Sequence, residues 1–154
     1  MKAALFPGTF DPFTLGHYSL VKRGLGFFDK IIIAVGSNID KKNMFSSETR
    51  INQINACFEN EPRVEVCSYD GMTANFAREL GIKYIIRGIR NTGDFEYERL
   101  LADVNKKIAD IETVCMFSEP EFSYVQSNVV RDLLKHNQDV SNFVPEAILK
   151  LLKK

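Results

Sequence analysis

The sequence predicts a single α/β domain in which a five-stranded, mostly parallel sheet is flanked by helices. Short runs rich in β-branched residues alternate with segments of helical periodicity, a pattern that favours right-handed βαβ units. A length of 154 residues suits one domain, and a hydrophobic content of 45% suffices for a core. No linker or repeat divides the chain. We therefore expect residues 1–154 to form one doubly wound domain.

The first half of the chain predicts three strands and two helices. A short apolar run at Ala3–Phe6 leads into an irregular loop and then into a helix that starts at Gly16-His17. β-branched residues and a closing glycine predict a fully buried strand at Lys30–Gly36. Ser46 or Ser47 is suited to cap the next helix. The third strand is predicted at Val64–Tyr69.

The second half continues the alternation. A short helix is expected at Met72–Leu80, since Gly81 is a residue type that commonly follows a helix. Tyr84–Ile86 is the fourth strand, and it leads directly into Arg87. The remaining predicted elements are a long helix at about Asp94–Ala109, a fifth strand at Glu112–Phe117, and helices at about Ser127–Lys135 and Pro145–Leu152.

Charge and cysteine content restrict the class of protein. Twenty basic and twenty acidic residues cancel, whereas a nucleic-acid binder usually carries a basic excess, so we expect no nucleic-acid partner. No apolar run is long enough for a membrane span, and the N-terminus lacks a signal-peptide pattern. The three widely spaced cysteines, Cys57, Cys67 and Cys115, are expected to be buried free thiols in a reducing cytoplasm.

The predicted topology brings several polar side chains to one edge of the sheet. Ligands of parallel sheets bind beyond the carboxyl ends of the strands, near the point where the winding direction changes. The loops that follow the first four predicted strands contain Thr9, His17, Lys41, Lys42, Thr73, Arg87 and Arg90. Cations and a histidine at a helix start favour phosphate chemistry, because helix N-termini bind anions. The sequence has neither a Walker A motif nor a nucleophile elbow.

Specific motifs accompany this pattern. The four residues Thr14-Leu15-Gly16-His17 resemble the T/H-x-G-H signature of the nucleotidyltransferase superfamily. The wider stretch Pro7–Pro12 is similar to that of one family, the bacterial phosphopantetheine adenylyltransferases. The resemblance continues in order along nearly the whole chain, through Lys41-Lys42, Met44-Phe45, Ala74–Arg78, Arg87–Arg90 and Asp94–Glu98.

The resemblance implies a Rossmann-like fold, a homohexamer and a cytoplasmic location. Members of that family transfer the adenylyl group of ATP to the 4′-phosphate of 4′-phosphopantetheine, which yields dephospho-coenzyme A and pyrophosphate for coenzyme A biosynthesis. Attack is direct and in line, without a covalent enzyme intermediate. The family uses Mg²⁺ held mainly by the ATP phosphates and water, so no dedicated protein metal site is expected.

The resemblance also implies roles for individual residues. His17 is expected to be catalytic, binding the α-phosphate and stabilising the transition state. Thr9, Lys41 and Arg87 are expected to bind the acceptor, with its pantetheine arm along the backbone around Thr73. The ATP-binding residues implied are Thr9, Phe10, His17, Gly88, Ile89, Arg90 and Glu98, together with Phe122, Ser123, Tyr124, Val125, Gln126, Ser127 and Asn128, a segment called here the late loop.

The chain departs from the family pattern at three places. Leu15 stands where asparagine is usual, and Thr73 stands where the family tends to be apolar. The late loop ends in Gln126-Ser127-Asn128 where relatives commonly carry a run of serines. Two alternatives stay open from the sequence: a related nucleotidyltransferase that uses CTP or another phosphorylated acceptor, and a non-catalytic nucleotide sensor on the same fold. The segment Arg87–Arg90 favours the adenylyltransferase.

Overall fold

The computed structural model describes residues 1–37 and 42–153. Within them a five-stranded sheet forms in which every strand pairing is parallel, so the predicted α/β architecture is confirmed. The strands are β1 (Ala3–Gly8), β2 (Lys30–Gly36), β3 (Val64–Tyr69), β4 (Tyr84–Ile89) and β5 (Glu112–Phe117). The α-helices are α1 (Leu15–Gly24), α2 (Ser47–Cys57), α3 (Thr73–Glu79), α4 (Thr92–Ala109), α5 (Ser127–Lys135) and α6 (Glu146–Leu152). A short 3₁₀ helix spans Pro120–Phe122.

The strand order is β3-β2-β1-β4-β5. The chain therefore winds outward from β1 to β3, returns to the other side of β1, and winds outward again to β5. This reversal places a topological switch point between β1 and β4, and a crevice beyond the carboxyl ends of these two strands is where such folds bind ligands.

Two hydrophobic clusters fill the two sides of the sheet. Side chains alternate along a strand, so Ile31 and Ile33 of β2 belong to the larger cluster, whereas Ile32 and Ala34 belong to the smaller one. The larger cluster also receives Ile148 of α6. Burial on both faces explains why β2 is an unbroken apolar run in the sequence.

Several elements differ in their bounds from the predictions, most by one residue at an end. β1 continues to Gly8 rather than ending at Phe6, because its pairing with β2 extends to the register pair of Gly8 with Val35. β4 continues to Ile89 rather than ending at Ile86, because its pairing with β5 extends to the register pair of Ile89 with Phe117. Arg87 is consequently a strand residue. Helix α4 begins at Thr92, two residues before the predicted start, because the Asn91 side chain caps it by accepting a hydrogen bond from the Asp94 N–H at 2.9 Å.

The outer surface next to β5 and α4 is less buried than expected. The cysteines are free, as predicted, but the expectation of burial is wrong for Cys115, which is exposed on β5, and only partly met by Cys57 and Cys67. β5 lies at the sheet edge, where one side lacks a neighbouring strand. Glu98 is the buried residue of α4, and the helix leaves a stripe of exposed apolar side chains at Tyr97, Leu100, Val104 and Ile108.

In the part of the chain that the structure describes, no helix combines the length and hydrophobicity needed to cross a bilayer.

Candidate active site

A cavity of about 360 Å³ opens at the switch point between β1 and β4. It is called here the first cavity. Its walls come from the loop after β1, the first turns of α1 and α5, the end of β4 and the start of α4. Twelve of the residues expected from the sequence line it: Thr9, Phe10, His17, Arg87, Gly88, Arg90, Glu98, Phe122, Val125, Gln126, Ser127 and Asn128.

A second cavity of about 440 Å³ lies beside it, at the carboxyl ends of β1, β2 and β3. The two cavities share Gly8, Thr9 and Arg87. The rest of the second cavity is lined by Gly36, Ser37, Tyr69, Asp70 and Gly71. A molecule in one cavity would therefore meet a molecule in the other across Thr9 and Arg87.

His17 occupies the third position of α1 and takes part in its N-terminal cap. The Thr14 N–H donates to His17 Nδ1 at 3.0 Å, and the His17 N–H donates to Thr14 Oγ1 at 3.4 Å. This reciprocal pattern is a capping box with histidine in the place usually taken by glutamate or glutamine. Since Nδ1 accepts a hydrogen bond from a backbone N–H, it carries no proton itself, and the neutral ring is protonated on Nε2. Among the described residues, Nε2 has no hydrogen-bond partner, so this N–H is available to a ligand.

The His17 ring is held neutral by its surroundings. Phe10 packs edge-on against it with ring centroids 5.0 Å apart, and Phe6 and Phe13 also contact it. The imidazole remains partly accessible through the first cavity. Burial, reinforced by the positive charges of Arg90 and Arg87, lowers the pKa of His17 to about 3. In the unliganded protein His17 is thus a neutral hydrogen-bond donor at physiological pH, with two cations nearby.

Arg87 is fixed between the two cavities by a buried carboxylate. Its Nε and Nη2 donate to the two Glu98 oxygens at 2.8 and 2.7 Å, and its Nη1 donates to the Pro7 carbonyl at 2.9 Å. Glu98 is only 5% exposed. A two-pronged pairing of this kind fixes the plane of the guanidinium. Glu98 therefore orients Arg87 as well as lining the first cavity.

Gly88 allows α1 to approach β4 closely. A Cβ added at this position would lie 2.5 Å from Leu20 Cδ1 of α1, which is too short for a real contact. The absence of a side chain at Gly88 thus leaves room for Leu20 of α1 against the strand that carries Arg87. At the end of the same strand, Arg90 pairs with Asp94 at 3.0 Å in the first turn of α4.

The late loop leads into α5, and Gln126, Ser127 and Asn128 at the start of this helix line the first cavity. The Ser127 hydroxyl donates to the Pro12 carbonyl at 2.8 Å, so it ties the late loop to the loop after β1. Gln126 makes no side-chain cap hydrogen bond to α5. The start of this helix accordingly offers backbone N–H groups to an anion.

Not every residue predicted for the site is seen on the wall of the first cavity in the described part of the chain. Lys41 is outside the described residues. Ile89 is buried, and the exposed Ser123 and Tyr124 are not part of the first cavity wall. Thr73 is not among the residues that line the second cavity, but its hydroxyl forms a 2.9 Å hydrogen bond with the hydroxyl of Tyr69, which does line it.

Several polar residues that line the first cavity were given no site role from the sequence, among them Asp11 and Arg131. Arg131 of α5 lines it and donates to the Asp11 carbonyl at 2.8 Å. Asp11 is itself buried, and its carboxylate accepts from the N–H groups of Met44 and Phe45. Arg131 follows Ser127 by four residues, so helical spacing alone places it above the late loop.

Comparisons with known proteins agree with this arrangement. Residues 5–147 match the family model described as cytidylyltransferase-like. In overall structure the chain is similar to a crystal structure from Vibrio parahaemolyticus provisionally assigned as a nicotinate-nucleotide adenylyltransferase, with a TM-score of 0.72 and 18% identity over 99% of this chain and 93% of that one. At this level of identity the likeness shows the Rossmann-like fold. The chain is thus an α/β protein of the nucleotidyltransferase class.

More similar relatives narrow the family. The chain is 49% identical to the phosphopantetheine adenylyltransferase of Bacteroides fragilis, over 96% of this chain and 99% of the relative. It is 47% identical to that of Cytophaga hutchinsonii and 45% identical to that of Flavobacterium psychrophilum, each over 96% of this chain. The chain belongs to the phosphopantetheine adenylyltransferase family.

Proposed function

We propose that this enzyme transfers the adenylyl group of ATP to the 4′-phosphate of 4′-phosphopantetheine, releasing pyrophosphate and forming dephospho-coenzyme A. The observation that carries the proposal is the pair of adjoining cavities that meet at Thr9 and Arg87, with His17 on the wall of the first. Two substrates with phosphates at the junction would have their reacting atoms next to each other.

The first cavity suits the nucleotide. Arg90 and Arg131 supply positive charge, and the N-terminus of α5 supplies free N–H groups. These groups are suited to the β- and γ-phosphates, while the Nε2–H of His17 is suited to an oxygen of the α-phosphate. Buried Val125 and the aromatic ring of Phe122 provide an apolar part of the same wall.

The second cavity suits the acceptor. Arg87 lies at its junction with the first cavity and matches a phosphate end. Ser37, Tyr69 and Asp70 line the remainder with polar groups, which suits the amide and hydroxyl groups of a pantetheine arm. The hydrogen bond between the Thr73 and Tyr69 hydroxyls fits a role for Thr73 in shaping this wall rather than in direct contact with the acceptor. Lys41, in the segment that follows Ser37, is the second cation we assign to the acceptor phosphate.

The chemistry follows from this placement. An oxygen of the acceptor phosphate attacks the α-phosphorus of ATP, and the bond from that phosphorus to the bridging oxygen breaks, so the electron pair leaves with pyrophosphate. The acceptor oxygen is already anionic, so no protein base is needed. The main barrier is the approach of two anions, which Arg87 and Arg90 would offset while Thr9 aligns the attacking group. His17 donates to the α-phosphate oxygen on which charge accumulates.

Mg²⁺ belongs to the proposal as the expected cofactor. Each carboxylate that lines the first cavity already has a partner: Asp11 accepts from backbone N–H groups, Asp94 pairs with Arg90, and Glu98 pairs with Arg87. These pairings fit an ion held by the ATP phosphates and water rather than by a carboxylate cage. When bound, the ion would neutralise part of the triphosphate charge.

The direct test is a pyrophosphate-release assay with ATP, Mg²⁺ and 4′-phosphopantetheine, repeated with CTP and with other phosphorylated acceptors. Turnover with ATP and phosphopantetheine well above every other pair is the expected result. Turnover with a different pair alone would replace the proposed substrates. Nucleotide binding without turnover for any pair would favour a sensor.

We also propose that the chain assembles as a homohexamer in the cytoplasm. The exposed apolar stripe on α4 supports assembly, since its side chains would lose water at a subunit contact. Light scattering after gel filtration should give a hexamer mass for the wild type, and Leu100→Asp should dissociate it at the same protein concentration. A monomeric wild type would contradict the proposal.

A further inference from the structure

Arg50 of α2 is an arginine that the proposed reaction does not use and that is almost completely buried. Its exposed fraction is 2%. Its guanidinium donates to three backbone carbonyls: from Nε to Phe45 at 3.1 Å, and from Nη1 to Thr9 at 2.5 Å and to Gly36 at 3.1 Å. A buried charge is costly unless it is fully hydrogen-bonded, so this arrangement requires explanation.

Two of the three carbonyls belong to residues that line the second cavity. Thr9 follows β1, Gly36 ends β2, and both line the space assigned to the acceptor. Arg50 Nη1 donates to both carbonyls and so links the residue after β1 to the last residue of β2. Because a guanidinium is planar and its donors are fixed in direction, it sets the relative position of the carbonyls that it binds.

The neighbouring carboxylate of Asp11 completes the cluster. It accepts from the Met44 and Phe45 N–H groups at 2.7 and 2.8 Å. Burial lowers the pKa of Arg50, and the Asp11 charge acts in the opposite direction. The cluster therefore attaches the segment before α2 to the loop that carries Thr9, which is one of the three residues shared by the two cavities.

We propose that Arg50 is a positioning residue for the acceptor side of the reaction, acting through the Thr9 and Gly36 backbone without touching either substrate. This inference rests on the proposed function for the identity of the acceptor. We therefore expect a variant of Arg50 to affect use of the acceptor more than binding of ATP. Disturbing Arg50 should weaken use of phosphopantetheine and slow turnover. The first cavity should still bind ATP, because the groups assigned to the triphosphate, His17, Arg90 and the start of α5, lie outside the segments that Arg50 contacts.

Arg50→Lys is the main test, because lysine keeps the charge but replaces the rigid fork with a single donor nitrogen. We expect kcat to fall and the KM for phosphopantetheine to rise by about tenfold or more, since small displacements of aligning groups cost up to roughly a hundredfold in rate. The KM for ATP should change by less than about threefold. Arg50→Gln should show the same asymmetry.

Arg63→Gln is the matched control. Arg63 also donates to a backbone carbonyl, that of Leu25 at 3.2 Å, and it pairs with Glu61, but it lines neither cavity. This variant should retain wild-type kinetics whatever its stability. Equal changes in both KM values for Arg50→Lys, or a lower melting temperature with unchanged kinetics, would overturn the proposal and leave Arg50 a stabilising residue only.

Hydrogen exchange provides a readout that does not depend on the identity of the acceptor. In unliganded Arg50→Lys, the amides of residues 8–10 and 44–46 should exchange faster than in Arg63→Gln and the wild type, because their backbone attachment is weakened. Unchanged exchange there would overturn the proposal. Failure of wild-type turnover with phosphopantetheine would instead refute the proposed substrate, and the KM comparison would be made with the acceptor that the wild type does use.

Discussion

Replacing His17 by glutamine separates the capping role of this side chain from its proposed catalytic role. His17 Nδ1 accepts from the Thr14 N–H at 3.0 Å and so completes the cap of α1, while the proposed reaction assigns Nε2–H to the transition state. Glutamine at the third helical position is a normal member of a capping box. His17→Gln should therefore keep both hydrogen bonds of the capping box, whereas His17→Ala should lose the one that the Thr14 N–H donates, at a cost of about 1 kcal/mol of folding stability.

The catalytic effect should be much larger than the stability effect. Loss of one preorganised donor to a developing oxyanion costs about 10²–10³-fold in kcat, or roughly 2.7–4 kcal/mol. Both variants should show this loss in the pyrophosphate-release assay, with the ATP dissociation constant changed by less than about threefold as measured by calorimetry. Wild-type turnover in His17→Gln would refute the role of Nε2–H in the transition state.

The remaining predictions concern pH, the buried ion pair and the late loop. The folded-state pKa of His17, about 3, lies below its unfolded value of 6.5, so the unfolded chain takes up a proton first and stability falls as pH drops below 6.5. Between pH 7 and 5 the free energy of unfolding should fall by about 2 kcal/mol more for the wild type than for His17→Gln, as measured by urea titration. Equal losses in the two proteins would contradict the conclusion that His17 is neutral in the folded state. Glu98→Gln removes the charge that fixes Arg87, so it should raise the KM for phosphopantetheine and lower the free energy of unfolding by about 2–3 kcal/mol. The loss of stability is smaller than for a fully buried ion pair because Arg87 is partly exposed. An unchanged KM together with unchanged stability would show that the pair does not orient Arg87. Asn128→Ser should change the KM for ATP more than the KM for the acceptor, and equal changes would contradict the assignment of the late loop to the nucleotide.

Local sequence patterns were sufficient for most of the fold. β2, β3 and β5 have the predicted bounds because apolar or β-branched runs there end at turn residues. β4 was predicted too short because Arg87 and Gly88 look like loop residues, and only the pairing with β5 keeps them extended. The apolar period of α4 predicted a helix correctly, but periodicity does not distinguish a core face from a subunit contact.

The site was predictable where one local rule applied. The rule that ligands bind beyond the carboxyl ends of parallel strands predicts that His17, Thr9 and Arg87 lie at one site, and all three line the first cavity. Arg50 was missed because its contacts are with backbone carbonyls distant in sequence, and no side-chain motif encodes them. One feature of the sequence does indicate its burial. Arg50 precedes the buried Ile54 by four residues, so helical spacing places both on the inner face of α2.

The central claim is the direct transfer of the adenylyl group between two substrates that meet at Thr9 and Arg87. Mass spectrometry of a reaction containing the wild-type enzyme, ATP, Mg²⁺ and 4′-phosphopantetheine tests it most directly. The predicted result is dephospho-coenzyme A and pyrophosphate in equal amounts, with no adenylylated enzyme. Absence of dephospho-coenzyme A, or an adenylyl group attached to the protein, would contradict it.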